Sequence, residues 1–588
     1  MKRYGVILLL LASTLLFAQD VAKPAATADS SVADELRQLR QAIEAQQKQI
    51  QQQQQELDTL RGQIARTGTS SSAQTGEPQL AETAMRAEVP ESAKTADPRV
   101  IDAALHNVAA ARPEAAQDYD KKADDDSESP LHFRIGKMDF TPGGFLDFAA
   151  IVRTTNVGSS IGTSFNSIPY NNTIQGVVSE TRFTSQNSRI SLKAHGVWGA
   201  NDITGYVEAD FLGNDAANVF VTSNSHTDRL RLYWVDVKHN KWEFVGGQAW
   251  SWLTPSRVGL GPDPKDVFFT LNTDTNYQVG LTWTRAAQFR VAYHPNEHWV
   301  FGAAVENPQQ YVAAGEVIFP FAFNAMLGTQ WDANNNPGVP NLHPDFIPKV
   351  AYDTNFAGDR HFHFEVAGLV TSKRVVVVPI GVIPPCDCNL WNHHTATGAG
   401  IEFASNVDVF KKFKFLLSGF YGNGGGRYIF GLGPDAVMKP VALASPGQFD
   451  VDINLVTAAS GIVGFESAIT SKTTIAGYYG GAYFDRNAFG DITSPVVVVP
   501  HTCETGGPLV TNPCIGFGGT NSPNSANREL QEATFDWIQT LWSDRNYGKL
   551  QFITQFSYVT RSPWFVPLGA PRGAHTTMGF VDLRYTLP

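Results

Sequence analysis

The sequence is poor in charge. Charged side chains make up 17% of its 588 residues, where about 25% is usual in soluble proteins. It also has no internal window of about 20 continuous apolar residues, which excludes a helical membrane span. Basic residues are outnumbered, 45 Lys and Arg against 56 Asp and Glu, for a net charge of −11. That balance argues against nucleic acid as a partner, because binding phosphate needs a basic footprint. Catalytic signatures are missing as well. No G-x-S-x-G or H-E-x-x-H stands out. "GNGGGR" at 422–427 shares only its glycines with a phosphate loop and lacks the Gly-Lys-Ser/Thr ending. The expectation is therefore a protein that is not an enzyme and holds no cofactor and no metal.

Aromatic residues and glycine are plentiful. Aromatics reach 11%, with 37 Phe, 17 Tyr and 12 Trp, and there are 51 Gly. This is the texture of many short strands with aromatic belts and Gly-rich turns.

The chain begins with an export signal over residues 1–18. Lys2 and Arg3 precede an apolar run from Val6 to Phe17, and Ala18 is the expected cleavage site. Export leads to an oxidising compartment. The four cysteines form two local pairs, Cys386 with Cys388 and Cys503 with Cys514. Loop disulfides are the expected state of both. The other reading of "CDCNLWNHH" is a metal site that adds His393 and His394, but its ligand spacing is loose.

Residues 32–66 keep a heptad period. Leu36, Ile43, Ile50, Leu57 and Ile64 fall at a; Val32, Leu39, Gln46, Gln53 and Leu60 fall at d. The 4-3 spacing runs without a slip, as in a coiled coil. The glutamine run does not break the pattern, since Gln is a good helix former. Such a helix would be roughly 50 Å long. It cannot bury its seam alone, so it implies an oligomer. A disordered low-complexity tail is the alternative. Residues 67–130 read as a flexible linker that ends in an acidic run.

From residue 131 to 588 the period is two. In "HFHFEVAGLV", Phe362, Phe364 and Val366 oppose His361, His363 and Glu365. In "LQFITQFSYVTR", Leu550, Phe552, Phe556 and Tyr558 oppose Gln551, Gln555, Ser557 and Arg561. About sixteen such strands can be counted, joined alternately by short turns and long loops. A soluble sandwich also alternates. Export, aromatic content and the loop pattern instead predict an all-β transmembrane barrel, antiparallel, with the short turns and both chain ends in the periplasm.

The stretch "RLRLYWVDVKHNKWEFVGGQAWSWLTP" at 229–255, with "RAAQFRVAY" at 285–293 and "ENPQQ" at 306–310, resembles the DcaP-like porins of bacterial outer membranes. So does a periplasmic coiled coil ahead of a barrel. The resemblance implies a sixteen-stranded trimeric porin, small anions such as dicarboxylates as cargo, and a three-stranded coiled coil. One departure is the ending "VDLRYTLP", where the last aromatic, Tyr585, stands three residues from the end.

Lumen-facing candidates on the early strands are Arg182, Arg189, Lys193, Arg229, Arg231 and Arg290, with the acids Glu208 and Asp210 beside them. One reading is a basic ladder for carboxylates, since the planar Arg fork pairs with them. The other is a set of wall-stiffening salt bridges. The segment 251–283, carrying Arg257, Asp263, Lys265 and Asp266, is the expected constriction loop; an outer surface loop is the alternative. The expected partners are outer-membrane lipids, small anionic solutes, two further copies of the chain, and peptidoglycan through the coiled coil. Two rival functions are a plugged structural barrel that tethers the membrane to the cell wall and, less favoured, a barrel-borne hydrolase.

Overall fold

The computed structural model describes residues 130–213, 226–312, 315–331, 340–382 and 390–588. The export signal, the coiled coil, all of the linker but its last residue, and Cys386 and Cys388 lie outside the described residues.

Alternation dictates the architecture. In the first long strand Leu146, Phe148 and Val152 are exposed, while Asp147, Ala149, Ile151 and Arg153 between them are buried. A sheet with one apolar face and one partly polar face must cover the polar face or close on itself. This one closes. The barrel strands are β1 Met138–Arg153, β2 Glu180–Thr184 with Arg189–Trp198, β3 Asn201–Asp210 and β4 Arg229–His239. They continue as β5 Trp242–Trp250, β6 Arg285–Tyr293, β7 Trp299–Glu306 and β8 Asp345–Phe356. The second half comprises β9 Arg360–Val377, β10 Asn392–Phe410, β11 Phe413–Asn423 and β12 Thr457–Ala468. The last four are β13 Thr473–Phe484, β14 Asn527–Asp544, β15 Gly548–Pro563 and β16 Ala574–Thr586. Each pairs antiparallel with the next. The circle closes between β1 and β16, with Phe145 opposite Thr586 and Arg153 opposite Met578. β2 counts as one strand because both its segments pair with β1, from Arg153 down to Asp139, across the irregular residues 185–188. A three-residue strand, Phe133–Ile135, folds back on the start of β1.

Outside, the apolar residues form a band. Phe183, Ile190, Phe289, Ile401, Phe535 and Phe556 are all exposed. An aromatic girdle follows the short turns: Trp242 lies 4.8 Å from Tyr293, Trp299 lies 4.7 Å from Tyr352, and Phe410 lies 6.3 Å from Phe413. In water such a belt would drive aggregation. In a bilayer, where indole and phenol rings favour the interface, it fixes the depth of the barrel. The described residues hold only short helices, none long and apolar enough to cross a membrane. The barrel is an outer-membrane structure of the bacterial type.

Sequence alternation places strands at 361–370 and 397–408, but β9 runs on to Val377 and β10 starts at Asn392. A hairpin, Ala436–Ala442 with Phe449–Leu455, covers the extension. Met438, Val451 and Ile453 pack there on Val375 and Val377, so the added strand length buries apolar surface above the membrane band. Residues 452–455 belong to that hairpin, and the barrel strand starts at Thr457.

Candidate functional site

The segment between β5 and β6 lies inside the barrel. Pro255, Pro262 and Pro264 keep it from continuing as strand, since proline donates no ladder hydrogen bond. Side chains and backbone along its whole length bond to the wall. The Trp252 amide donates to Glu306 at 2.9 Å, Ser256 to Glu365 at 2.8 Å and Gly259 to Asp353 at 3.0 Å. Further on, Leu271 donates to the Tyr478 hydroxyl at 3.2 Å, Asp274 to Gln555 at 2.9 Å and Val279 to Glu532 at 2.9 Å. These anchors belong to β7, β8, β9, β13, β14 and β15, so the segment crosses the lumen from one wall to the other. Each hydrogen bond to a charged acceptor contributes about 1.5–3 kcal/mol.

Glycine makes the seat on the far wall. Gly280 has φ +96°, a backbone region that L side chains rarely adopt. A Cβ on Gly280 would lie 2.2 Å from the Gly461 carbonyl oxygen, and one on Gly480 would meet the Val279 carbonyl oxygen. Backbone therefore rests on backbone. Apolar contacts extend the seat. Val267, Phe268, Phe269, Leu271 and Leu281 of the segment join Leu416, Ile462, Ala476, Tyr478, Ile538 and Ile553 of the wall in one buried cluster. Fully burying one such side chain stabilises by about 1.5–3 kcal/mol.

The charged residues on the segment pair across the lumen. Arg257 grips Glu466 on β12 through two bonds, 2.7 and 3.0 Å, and donates to the Phe269 carbonyl at 2.7 Å. Asp263 meets Lys193 on β2 at 2.9 Å, and exposed Lys265 stands 3.8 Å from it. Burial alone would raise Asp263, but Lys193 and Lys265 carry its carboxyl below the ordinary range. Asp266 goes the other way. Burial, then the neighbouring Asp263, push it up to about 7 against the pull of Lys265 and Lys238.

The early strands hold the basic residues in four different ways. Arg229 and Arg231 share the carboxylates of β3. Arg229 forms a fork on Asp210 at 2.8 and 3.0 Å, and Arg231 reaches Glu208 at 2.6 Å and Asp210 at 2.7 Å. Arg189 faces Tyr277 of the inserted segment at 3.4 Å and lies 5.3 Å above the Phe145 ring. Arg290 is buried against Gln288 and the Trp250 carbonyl. Arg182 is exposed on the inward register of β2, opposite Ile151.

A bulge decides where the first pair points. Leu230, Tyr233 and Val235 are exposed, while Arg231, Leu232 and Trp234 are buried. Adjacent Arg231 and Leu232 thus both face inward, where the register with β3 slips between Glu208 and Ala209. Without the extra residue, Arg231 would share the lipid-facing side of Tyr233.

Sequence reading did not single out the wall carboxylates that hold the segment. Glu306 stands out only as the start of "ENPQQ"; Asp353, Glu466 and Glu532 carry no local motif, and the partners of all four lie 54 to 253 residues away along the chain. Glu365 was legible as lumen-facing, but its role in holding Ser256 was not. Buried Asp147, bonded to Arg584 at 2.9 Å across the closing seam, was missed for the same reason. Cys503 and Cys514 form a disulfide in the loop between β13 and β14.

No protein-family profile matches the chain, and no curated protein matches it. Solved structures do. The chain is similar to outer-membrane porins. The outer membrane channel DcaP of Acinetobacter baumannii shares 14% identity, with 76% of this chain and 97% of that one covered at a TM-score of 0.49. OmpF of Salmonella typhi shares 10%, covering 78% and 100% at 0.38. OmpT, an outer membrane protein of Vibrio cholerae, shares 10%, covering 77% and 99% at 0.37. At such identities the likeness concerns the layout of the barrel alone.

Proposed function

We propose that the protein is a passive outer-membrane porin for small hydrophilic solutes, with carboxylate anions favoured, acting as a homotrimer. The observation that carries this reading is the inserted segment, a charged strap that divides a barrel wide enough to hold an aqueous channel. Solutes move down their gradient past it, with no cofactor. Anion preference would come from basic groups that keep access to water, namely Arg182, Arg229, Lys193 and Lys265. Low-dielectric walls focus their field. Arg231, Arg257 and Arg290 serve the wall and the strap instead. The coiled coil would tie three copies together in the periplasm and reach toward peptidoglycan.

One observation favours a second reading, the plugged structural barrel. The apolar cluster that joins the strap to the far wall is a dry contact, as in a protein core. Selectivity separates the two. In planar bilayers under a salt gradient, the porin reading predicts an anion-preferring reversal potential. It also predicts that Arg182→Glu and Lys193→Glu together move that potential toward cations. Current with cation preference in the unaltered protein would refute the carboxylate assignment, and absent current would favour the plug.

A further inference from the structure

We infer that Arg285, with Arg231, Trp250 and Trp283, forms a docking site in the lumen for a single carboxylate group. The site gives the solute class proposed above a place to bind, and it rests on that reading. Arg285 opens β6, where the ladder sets it opposite Trp250, the last residue of β5. Its guanidinium lies 5.7 Å from the centre of the Trp250 ring, and that of Arg231 lies 5.5 Å from the same ring. Trp283, at the end of the strap, packs edge-on against Trp250 at 5.8 Å. Tyr277 at 5.2 Å and the nearly parallel ring of Phe430 at 4.5 Å fix Trp283 from two other sides.

What this group still offers is donors. Trp250 Nε1, Trp283 Nε1 and Arg231 Nη2 are buried and have no hydrogen-bond partner. An indole N–H and a guanidinium can only donate. Buried polar groups in native proteins nearly always find a partner, so three orphaned donors around one ring call for an acceptor. Arg231 cannot swing away to find one, because its Nε and Nη1 are engaged by Glu208 and Asp210. Arg285 is held differently. Among the described residues it bonds to no carboxylate, and Arg229 and Arg231 stand near enough to repel it. Three arginines thus share two acids, Glu208 and Asp210, and one positive charge is left over.

A carboxylate meets these conditions together. It only accepts, it brings one negative charge, and its two oxygens match the planar fork of an arginine. A cation would instead meet the surplus positive charge. Access is from the lumen: Arg285 and Trp283 are half-buried, and the neighbouring Arg229 side chain is 36% exposed. The aromatic walls lower the local dielectric, which strengthens a charged hydrogen bond made there.

The test is saturation-transfer NMR of acetate on the purified full-length protein in detergent, with methylammonium as a cation of like size. A saturable acetate signal is expected, and none from methylammonium. Arg285→Gln, which takes no partner from a carboxylate, should weaken acetate binding about 10–100-fold, as the loss of a charged hydrogen bond does, while the β-rich circular dichroism is kept. Trp283→Phe keeps the stacked ring but removes one N–H, and should weaken binding about 2–10-fold. No saturable acetate signal, or equal affinity in the unaltered protein and in Arg285→Gln, would overturn the site. Planar-bilayer current from the same preparations separates the site from the porin reading. Binding that depends on Arg285 in a silent barrel would uphold the site and refute the channel. Current from a barrel whose acetate binding ignores Arg285 would refute the site and uphold the channel.

Discussion

Arg231 shows how much one residue can turn on one irregular position. Its guanidinium lies 5.5 Å from the Trp250 ring and bonds two carboxylates. Replacing both Glu208 and Asp210 by their amides would leave Arg229 and Arg231 unpaired in the lumen. We expect Glu208→Gln with Asp210→Asn to shift the reversal potential toward anions and to lower thermal stability, because a buried charge without its partner costs about 3–5 kcal/mol. An unchanged potential would mean these arginines do not face the conducting path. Asp266 supplies a pH test. Its carboxyl titrates near 7 in the folded protein, above the ordinary aspartate value of 3.8. The folded state therefore keeps a proton that the unfolded chain has released. The stabilisation is full below about pH 4 and is lost as pH rises through about 7. Over the same window the lumen gains a negative charge. Reversal potentials should move toward cations between pH 6 and pH 8, and Asp266→Asn should reduce that movement.

At the scale of elements, the strap and the outer loops carry different kinds of constraint. The strap depends on small residues in the wall. Gly480→Val would drive a side chain into the Val279 carbonyl and force the strap off β13. Conductance should rise, with looser protease protection of residues 251–284 and the barrel intact. Unchanged conductance would contradict the strap's role in narrowing the channel. The loop between β13 and β14 is held instead by Cys503–Cys514. A bridge closing a loop of this size contributes about 2–4 kcal/mol in the chain-entropy picture. Cys503→Ser with Cys514→Ser should speed proteolysis within residues 485–526 and leave the barrel unaffected. Elements were also where the sequence spoke most clearly. Alternation located the barrel strands because the lipid face demands apolar residues at every second position, as with Phe364 between His363 and Glu365. It did not locate the hairpin at 436–455, whose apolar residues bury against another loop and follow no lipid boundary. The bulge at Arg231 was equally hidden, since a single extra residue leaves no mark in composition.

For the whole molecule, closure is what turns strands into a possible channel. The seam between β1 and β16 is reinforced inside by Arg584, which bonds Asp147 at 2.9 Å and Asp582 at 3.2 Å. Chain ends that meet this way were foreseeable from an even strand count. The filling of the lumen was not. Contacts such as Arg257 with Glu466 join residues that nothing local relates, and only the closed barrel brings them together. On the porin function proposed above, the strap narrows the lumen without sealing it. Single-channel recording of the purified full-length protein in a planar bilayer tests this most directly. Discrete openings in groups of three, larger in Gly480→Val, are the predicted result. Silence from protein shown to be folded and inserted would contradict the account and identify the barrel as plugged.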